Sequence, residues 1–144
     1  SQILFTTDRD GNQEVYVMNA DGTSQTNLTG DAGEDAFGRF SPDGSQIAFY
    51  TTRDGDPEVY VMNADGTSQT NLTNDPASDD LPAWSPDGSQ IAFESDRDGN
   101  LEIYVMNADG TSPTNLTNRA SSIPRLSAGL DGSSIRSDIG ISSG

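Results

Sequence analysis

The chain lacks cysteine, histidine and lysine, so that all seven of its basic residues are arginine. The absence of cysteine excludes disulfides, thiolate metal sites and thiol catalysis. The absence of histidine excludes Ser-His-Asp triads and histidine metal sites. Two carboxylates held about 5–10 Å apart could still hydrolyse a glycoside. Acid-rich loops are common in proteins, however, and we predict that this chain is not an enzyme.

Basic charge is scarce throughout, and the 144 residues carry a net charge of −16. Such a chain repels phosphate backbones and anionic membranes, so nucleic acid and lipid surfaces are poor partners. No apolar run approaches the roughly 20 residues of a membrane span, and no membrane insertion is expected. A signal peptide is also absent, as it would be from a mature secreted chain.

The sequence does contain an internal repeat with a spacing of 44 residues. The segment Ser41–Phe49, SPDGSQIAF, recurs unchanged at 85–93. The motif Asn-Ala-Asp-Gly-Thr-Ser occurs three times, beginning at Asn19, Asn63 and Asn107. A period of about 40–45 residues is typical of a four-stranded propeller blade.

Local patterns predict that each repeat consists of strands. The second unit contains three Asp-Gly pairs, which favour hairpin turns because glycine adopts positive φ. They separate four segments, at 36–41, 46–51, 58–63 and 69–73. The second segment alternates apolar and polar residues. The third is apolar on both faces, as in an inner strand, and the last is polar, as at an outer edge.

These residues carry a family resemblance. The pattern that begins at Trp84, WSPDGSQIAF followed by DRDGNLEIYVMNADGTS, resembles the WD40-like (PD40) propeller repeat of TolB and its relatives. The resemblance covers residues 1–118 and implies an all-β propeller of four-stranded blades, with six blades in the ring. We therefore expect a partial blade at 1–29, complete blades at 36–73 and 80–117, and a degenerate repeat at 119–144.

The tail at 119–144 is open to three interpretations. It could supply the first strand that the first unit lacks, it could be a truncated or frame-shifted repeat, or it could be a disordered extension rich in Ser and Gly. We favour the first two together for about residues 121–135, since Asp131-Gly132-Ser133 keeps the repeat spacing. The aromatic anchor of the earlier units is replaced by Ala128.

The number of blades predicts how the chain assembles. About three blades per chain leave sheet edges open, and two chains related by two-fold symmetry would supply six. We therefore predict a homodimer that forms one closed ring, with the tail completing the first unit of its own chain or of its partner.

One turn of each unit suggests a metal site. Asp-x-Asp-Gly-Asn-x-Glu alternates oxygen ligands in a way that suits Ca²⁺, although it departs from an EF-hand loop. The alternative is a plain hairpin turn whose arginine pairs with an acid across a blade boundary; Arg9, Arg53 and Arg97 are its candidates. The predicted Ca²⁺ ligands are Asp8, Asp10, Asn12 and Glu14 in the first unit, and Asp96, Asp98, Asn100 and Glu102 in the third.

The loops that enter each first strand suggest a binding face. They are rich in carboxylates, and around a closed ring they would form a negative funnel that attracts cations or a basic peptide. The alternative is a solvated acidic loop that maintains solubility. The predicted partner-binding residues are Glu34, Asp35, Arg39, Asp79 and Asp80.

Taken together, the sequence predicts a non-enzymatic binding or scaffold module that recognises a protein or peptide. The family resemblance supports this function, since TolB-like propellers act by binding partner proteins, and it implies a periplasmic or secreted location, with a cytoplasmic one left open. Two alternatives remain. One is a propeller that binds carbohydrate or Ca²⁺. The other is a recently amplified fragment without a selected ligand, because 41–73 and 85–117 differ at only seven of 33 positions.

Overall fold

The computed structural model describes residues 1–118, which form eleven β-strands in three antiparallel sheets. Blade 1 consists of β1 (Gln2–Thr7), β2 (Glu14–Asn19) and β3 (Thr26–Asn27). Blade 2 consists of β4 (Asp35–Phe40), β5 (Gln46–Thr51), β6 (Glu58–Asn63) and β7 (Thr70–Asn71). Blade 3 consists of β8 (Asp79–Trp84), β9 (Gln90–Ser95), β10 (Glu102–Asn107) and β11 (Thr114–Asn115). In each blade the spatial order of the strands follows the sequence.

Short polar turns join the strands because their side chains satisfy the local backbone. In the turn after β4, Gly44 adopts a φ of 73°. The Asp43 carboxylate there accepts hydrogen bonds from the Ser41 hydroxyl at 2.6 Å and from the Ser45 backbone N–H at 3.0 Å. Such Asp-centred bonds stabilise a tight turn, and they explain why the SPDGS segment recurs.

The core lies between neighbouring blades. One apolar cluster joins blades 1 and 2 and includes the fully buried Ile47, Phe49 and Met62. A second joins blades 2 and 3 and includes Ile91 and Phe93. Each sheet therefore buries apolar side chains against the next sheet, as stacked blades require.

The third hairpin of each later blade also contacts the blade before it. A Cβ atom added to Gly66 would lie 2.9 Å from the Leu28 carbonyl oxygen, and one added to Gly110 would lie 2.9 Å from that of Leu72. Gly22, which has no preceding blade among residues 1–118, has nothing within 4 Å of its added Cβ. These close approaches repeat at both joints between blades.

The all-β propeller fold with four-stranded blades is confirmed. The predicted second and third strands of blade 2 coincide with β5 and β6, whereas the predicted outer strand at 69–73 is only two residues long. Phe40 and Trp84 pack against the two apolar clusters. Residues 1–118 include no helix with the length and apolar character to cross a membrane. The predictions for the tail fall outside the described residues.

Candidate functional site

The start of each complete blade contains a buried ion pair. Arg53 lies in the turn after β5, and its Nη2 is 3.1 Å from Asp35 Oδ1 and 2.6 Å from Asp31 Oδ2. In blade 3, Arg97 Nη2 is 3.0 Å from Asp79 Oδ1 in the same way. Each arginine thus pairs with an acid at the start of its own blade, and not across a blade boundary as the sequence suggested.

The arginines are held in place by aromatic rings and a hydroxyl group. The guanidinium carbon of Arg97 lies 4.6 Å from the centroid of the Tyr104 ring and 5.4 Å from that of Phe93. Its Nε donates to the Ser95 hydroxyl at 2.9 Å. Stacking on rings adds a favourable cation–π interaction, so this position is fixed before any partner binds.

Burial raises the pKa of the paired acids by more than the neighbouring arginines lower it. Asp35 and Asp79 are completely inaccessible to solvent. Loss of solvation raises the pKa of Asp35 to about 6 although Arg53 opposes the change, and it raises the pKa of Asp79 too. A buried carboxylate next to one arginine is still poorly solvated.

The residues predicted to form the acidic funnel fall into a buried group and an accessible group. Asp35 and Asp79 were expected at the surface, but they are buried and serve as partners of the arginines. Glu34 and Arg39 are exposed, and Asp80 is half-buried. Arg39 lies near the other end of β4, about 13 Å along the strand at the usual rise per residue. Glu34 and Asp80 therefore remain as carboxylates that a partner could contact.

Two apolar residues that the sequence did not indicate accompany these carboxylates. Phe37 and Leu81 hold equivalent positions in β4 and β8, where the register shifts at a β-bulge. Both have positive φ values, 56° and 51°, and both are 42% exposed. A bulky residue in the left-handed region is strained, and such strain clusters at functional sites.

Tyr50 lies beside the bulge of β4. Its ring centroid lies 6.0 Å from that of Phe37. Burial raises the pKa of the Tyr50 hydroxyl, and the negative charges of Asp80 and Glu34 raise it further. The tyrosine thus lies near carboxylates of both blades. We call Glu34, Phe37, Tyr50, Asp80 and Leu81 the bulge face. It offers an apolar, aromatic surface with negative charge beside it.

Most of the side chains predicted to bind Ca²⁺ form hydrogen bonds with separate partners. In the first unit the Asp10 carboxylate accepts hydrogen bonds from the Tyr16 hydroxyl and the Asn27 amide, and Asn12 donates to the Gly33 carbonyl. Glu14 is buried and accepts from the Thr29 hydroxyl. In residues 1–118, no group of three or more acidic side chains converges to hold a metal ion.

The third unit repeats these contacts. The Tyr104 hydroxyl donates to Asp98, Asn100 donates to Glu102 at 2.6 Å, and the Thr117 hydroxyl also donates to Glu102. Asp96 accepts the Ser78 backbone N–H at 2.9 Å. The alternating oxygen groups therefore bind the turn to the neighbouring strands. This geometry fits a plain hairpin turn, which was the alternative to a Ca²⁺ site.

The sequence matches one known family over most of its length. The family model described as TolB beta propeller domain matches residues 1–66 and 33–137. A search of curated proteins finds no match.

Solved structures agree with that match. A TolB from Agrobacterium tumefaciens is 25% identical, with a TM-score of 0.73 over 79% of this chain and 44% of its own. TolB from Acinetobacter baumannii is 26% identical, with a TM-score of 0.71 over 80% of this chain and 29% of its own. The chain therefore spans less than half the length of either TolB.

Enzymes also share the fold. An oligogalacturonate lyase from Vibrio parahaemolyticus has a TM-score of 0.59 over 79% of this chain and 35% of its own, at 14% identity. An identity this low shows a common fold and gives no information about activity.

Proposed function

The chain belongs to the family of TolB β-propeller domains, and from that premise we propose that it is a non-enzymatic module that binds a protein or peptide on the bulge face. The supporting observation is the pair of strained, exposed residues Phe37 and Leu81 at equivalent bulges. Blades 2 and 3 have the same unfavourable positive φ at the same position of their first strands. This is the pattern expected where a surface is shaped for a ligand.

The chemistry of the bulge face defines the partner. Phe37, Leu81 and the ring of Tyr50 offer apolar contact, and Glu34 and Asp80 offer negative charge beside it. An extended segment with alternating apolar and basic side chains would match both features. The chain's net charge of −16 would also attract such a segment over a distance.

The test uses peptides that alternate leucine with arginine or lysine, and peptides of the same length that alternate leucine with glutamate. Binding to the full chain is followed by isothermal titration calorimetry, and NMR shift mapping locates the contact. We expect the basic peptides to bind and to perturb Phe37 and Leu81. Equal binding of both peptide sets, or shifts confined to other residues, would contradict the proposed face.

The proposed assembly is a homodimer in which two sets of blades form one ring. Its support is the number of blades in this chain together with the six that the family resemblance implies. Light scattering tests it directly. A mass near twice 15.2 kDa is expected, and a monomer in solution would exclude the dimer. By the same resemblance, the proposed location is the periplasm or the outside of the cell.

A carbohydrate is the second candidate ligand, because Phe37 and Tyr50 place two aromatic rings side by side next to carboxylates. Aromatic faces and polar groups together can hold a sugar ring. A glycan array separates the two candidates, since a sugar ligand would bind in the absence of any peptide and would lose affinity in a Tyr50→Ala variant.

A further inference from the structure

A cavity of about 320 Å³ lies between the first hairpin turns of blades 2 and 3. These turns carry the repeated SPDGS segment and lie close together, since a Cβ added to Gly88 would be 3.5 Å from Pro42 Cδ. They follow β4 and β8, whereas Glu34 of the bulge face lies just before β4. The cavity, which we call the turn pocket, is therefore at the opposite end of the blades. Its wall includes Pro42, Asp43, Gln46, Trp84, Asp87 and Gly88.

Trp84 supplies the aromatic part of this wall. Its indole N–H is already used, because Nε1 donates to the Arg39 carbonyl oxygen at 3.0 Å. The ring also packs against the second apolar cluster. The side chain is thus fixed by a hydrogen bond and by packing. It offers a ligand its π system and no free hydrogen-bond donor.

Asp43 and Asp87 add two negative charges to the wall. In each, Oδ1 accepts hydrogen bonds from two serines of its own turn, and these bonds lower the pKa of both carboxyls to about 2. Both side chains are therefore ionised at neutral pH. Within residues 1–118, Asp87 Oδ2 accepts no hydrogen bond, and Asp43 Oδ2 accepts only the Ser45 hydroxyl, which also bonds to Oδ1. One oxygen of each carboxylate is thus available to a ligand.

The wall of the turn pocket contains no basic side chain among the described residues. Arg39, the arginine closest along the chain, does not line it, and its Nη1 donates to the Gly38 carbonyl at 3.2 Å. Gln46 contributes a half-buried amide whose side chain forms no hydrogen bond within residues 1–118. The pocket therefore combines an aromatic ring, two charged acceptors and one neutral amide, and its charge is not neutralised by a neighbour from this part of the chain.

A guanidinium group matches this combination. It is a planar cation with five N–H donors and no acceptor, it stacks on aromatic rings, and it forms strong charge-assisted hydrogen bonds with carboxylates. An ammonium group provides a point charge without the flat face. A sugar hydroxyl accepts as well as donates, and the wall offers it few donors.

The size of the turn pocket suits one side chain. Its volume of about 320 Å³ is at the lower end of the roughly 300–1,000 Å³ that small-molecule sites occupy. Free arginine would also bring an α-carboxylate, for which the wall has no positive charge, to a chain with a net charge of −16. An arginine within a polypeptide carries no such carboxylate and is the better fit.

We propose that the turn pocket binds an arginine side chain of a partner polypeptide. The guanidinium group lies against the ring of Trp84 and donates to the available oxygens of Asp43 and Asp87, and the amide oxygen of Gln46 accepts a further N–H. The site is separate from the bulge face, and its occupancy does not depend on the function proposed for that face.

Trp84 is the one tryptophan of the chain, so intrinsic tryptophan fluorescence reports on this pocket alone. The full chain is titrated with N-acetyl-arginine amide, and with the matching lysine and citrulline compounds. Citrulline keeps the shape of the arginine side chain and removes its charge. We expect a saturable change with the arginine compound, weaker binding of the lysine compound, and binding of the citrulline compound that is at least about tenfold weaker, because it loses the charge-assisted contacts.

Variants of the protein show which carboxylates bind the ligand. Asp43→Asn and Asp87→Asn keep the Oδ1 acceptor on which each turn depends and remove only the charge, so each should weaken binding of the arginine compound about tenfold. Asp65→Asn is the matched control. Asp65 accepts hydrogen bonds from Thr67 in another turn at the same end of blade 2 and does not line the pocket, so this variant should bind as the parent does. A far-UV circular dichroism melt checks that each variant is folded.

Several results would overturn the proposal. They are the absence of a saturable change up to about 10 mM of the arginine compound, equal binding of the citrulline compound, and equal losses in Asp65→Asn and Asp87→Asn, which would assign the effect to net charge. Tighter binding of free arginine than of its blocked amide would assign the pocket to a small molecule and exclude a polypeptide. These outcomes leave the bulge face untouched, since its test follows Phe37 and Leu81.

Discussion

The indole Nε1 of Trp84 donates a 3.0 Å hydrogen bond to the backbone carbonyl of Arg39, and so connects β8 of blade 3 to β4 of blade 2. The equivalent residue in blade 2 is Phe40, which has no such donor. The joint between blades 2 and 3 therefore has a polar contact that the repeat does not require. Replacing Trp84 with phenylalanine, the residue of the equivalent position in blade 2, measures how much this hydrogen bond contributes to stability.

We expect Trp84→Phe to lower the free energy of unfolding by about 0.5–1.5 kcal/mol, the usual net contribution of one hydrogen bond. Trp84→Ala should cost about 2 kcal/mol or more, because it also removes the ring from the second apolar cluster. Urea unfolding followed by circular dichroism measures both variants. Equal losses would show that the ring contributes nothing beyond its hydrogen bond, and unchanged stability of Trp84→Phe would show that the hydrogen bond contributes nothing.

Glycine substitutions test the contact between successive blades. Gly66 and Gly22 have similar φ values of 87° and 85°, so Ala costs the backbone about the same at each, roughly 1–2 kcal/mol. Only at Gly66 does the new Cβ meet a carbonyl, at 2.9 Å. Gly66→Ala should therefore lower the melting temperature more than Gly22→Ala does. If the two variants melt alike, the hairpin accommodates the added methyl group and the close approach does not limit stability.

The strained bulges predict a gain of stability on substitution. Phe37→Gly and Leu81→Gly relieve a positive φ, and each should raise the free energy of unfolding by about 0.5–1 kcal/mol. Leu101→Gly is the matched control, since Leu101 is 63% exposed and has no positive φ; it should be destabilising. Thermal melts measure all three. Loss of stability in both bulge variants would mean that the side chains stabilise the fold.

Buried carboxylates predict how stability depends on pH. The pKa of Asp35 is raised by burial from 3.8 to about 6, so its contribution is fully present below pH 3.8 and is lost as the pH rises through 6. Hydrogen bonds from Ser41 and Ser85 lower the pKa of Asp43 and Asp87 to about 2. Their contribution is present above pH 3.8 and is lost as the pH falls through 2.

The melting temperature should therefore rise as the pH is lowered from 7 towards about 4, and fall at more acidic pH. Asp35→Asn should flatten the rise, whereas Asp21→Asn, an exposed acid in a turn, should leave it unchanged. A profile of Asp35→Asn as steep as that of the parent would assign the rise to relief of general charge repulsion.

Calcium provides a simple check on the turns. Because their carboxylates accept hydrogen bonds from separate side chains such as Tyr16 and Thr29, adding Ca²⁺ or a chelator should leave the melting temperature unchanged. A rise of several degrees with Ca²⁺ would show that the turns rearrange around the ion.

The strands could be predicted because their signals are local. Asp-Gly turns and alternating apolar residues define β5 and β6 without reference to the rest of the fold. The bulges at Phe37 and Leu81 could not be predicted, since a register shift depends on the pairing of two strands. Nor could the burial of Asp35, which depends on Arg53, a residue 18 positions later, folding back over the start of the strand.

The contact of Gly66 with Leu28 recurs as the contact of Gly110 with Leu72. Because the backbones approach this closely at both joints, a side chain at either glycine would push its hairpin away from the preceding blade. A repeated interface forms a closed ring only if its rotation returns to the starting point. A substitution at one of these glycines would therefore alter the curvature of the array as well as the stability of one joint.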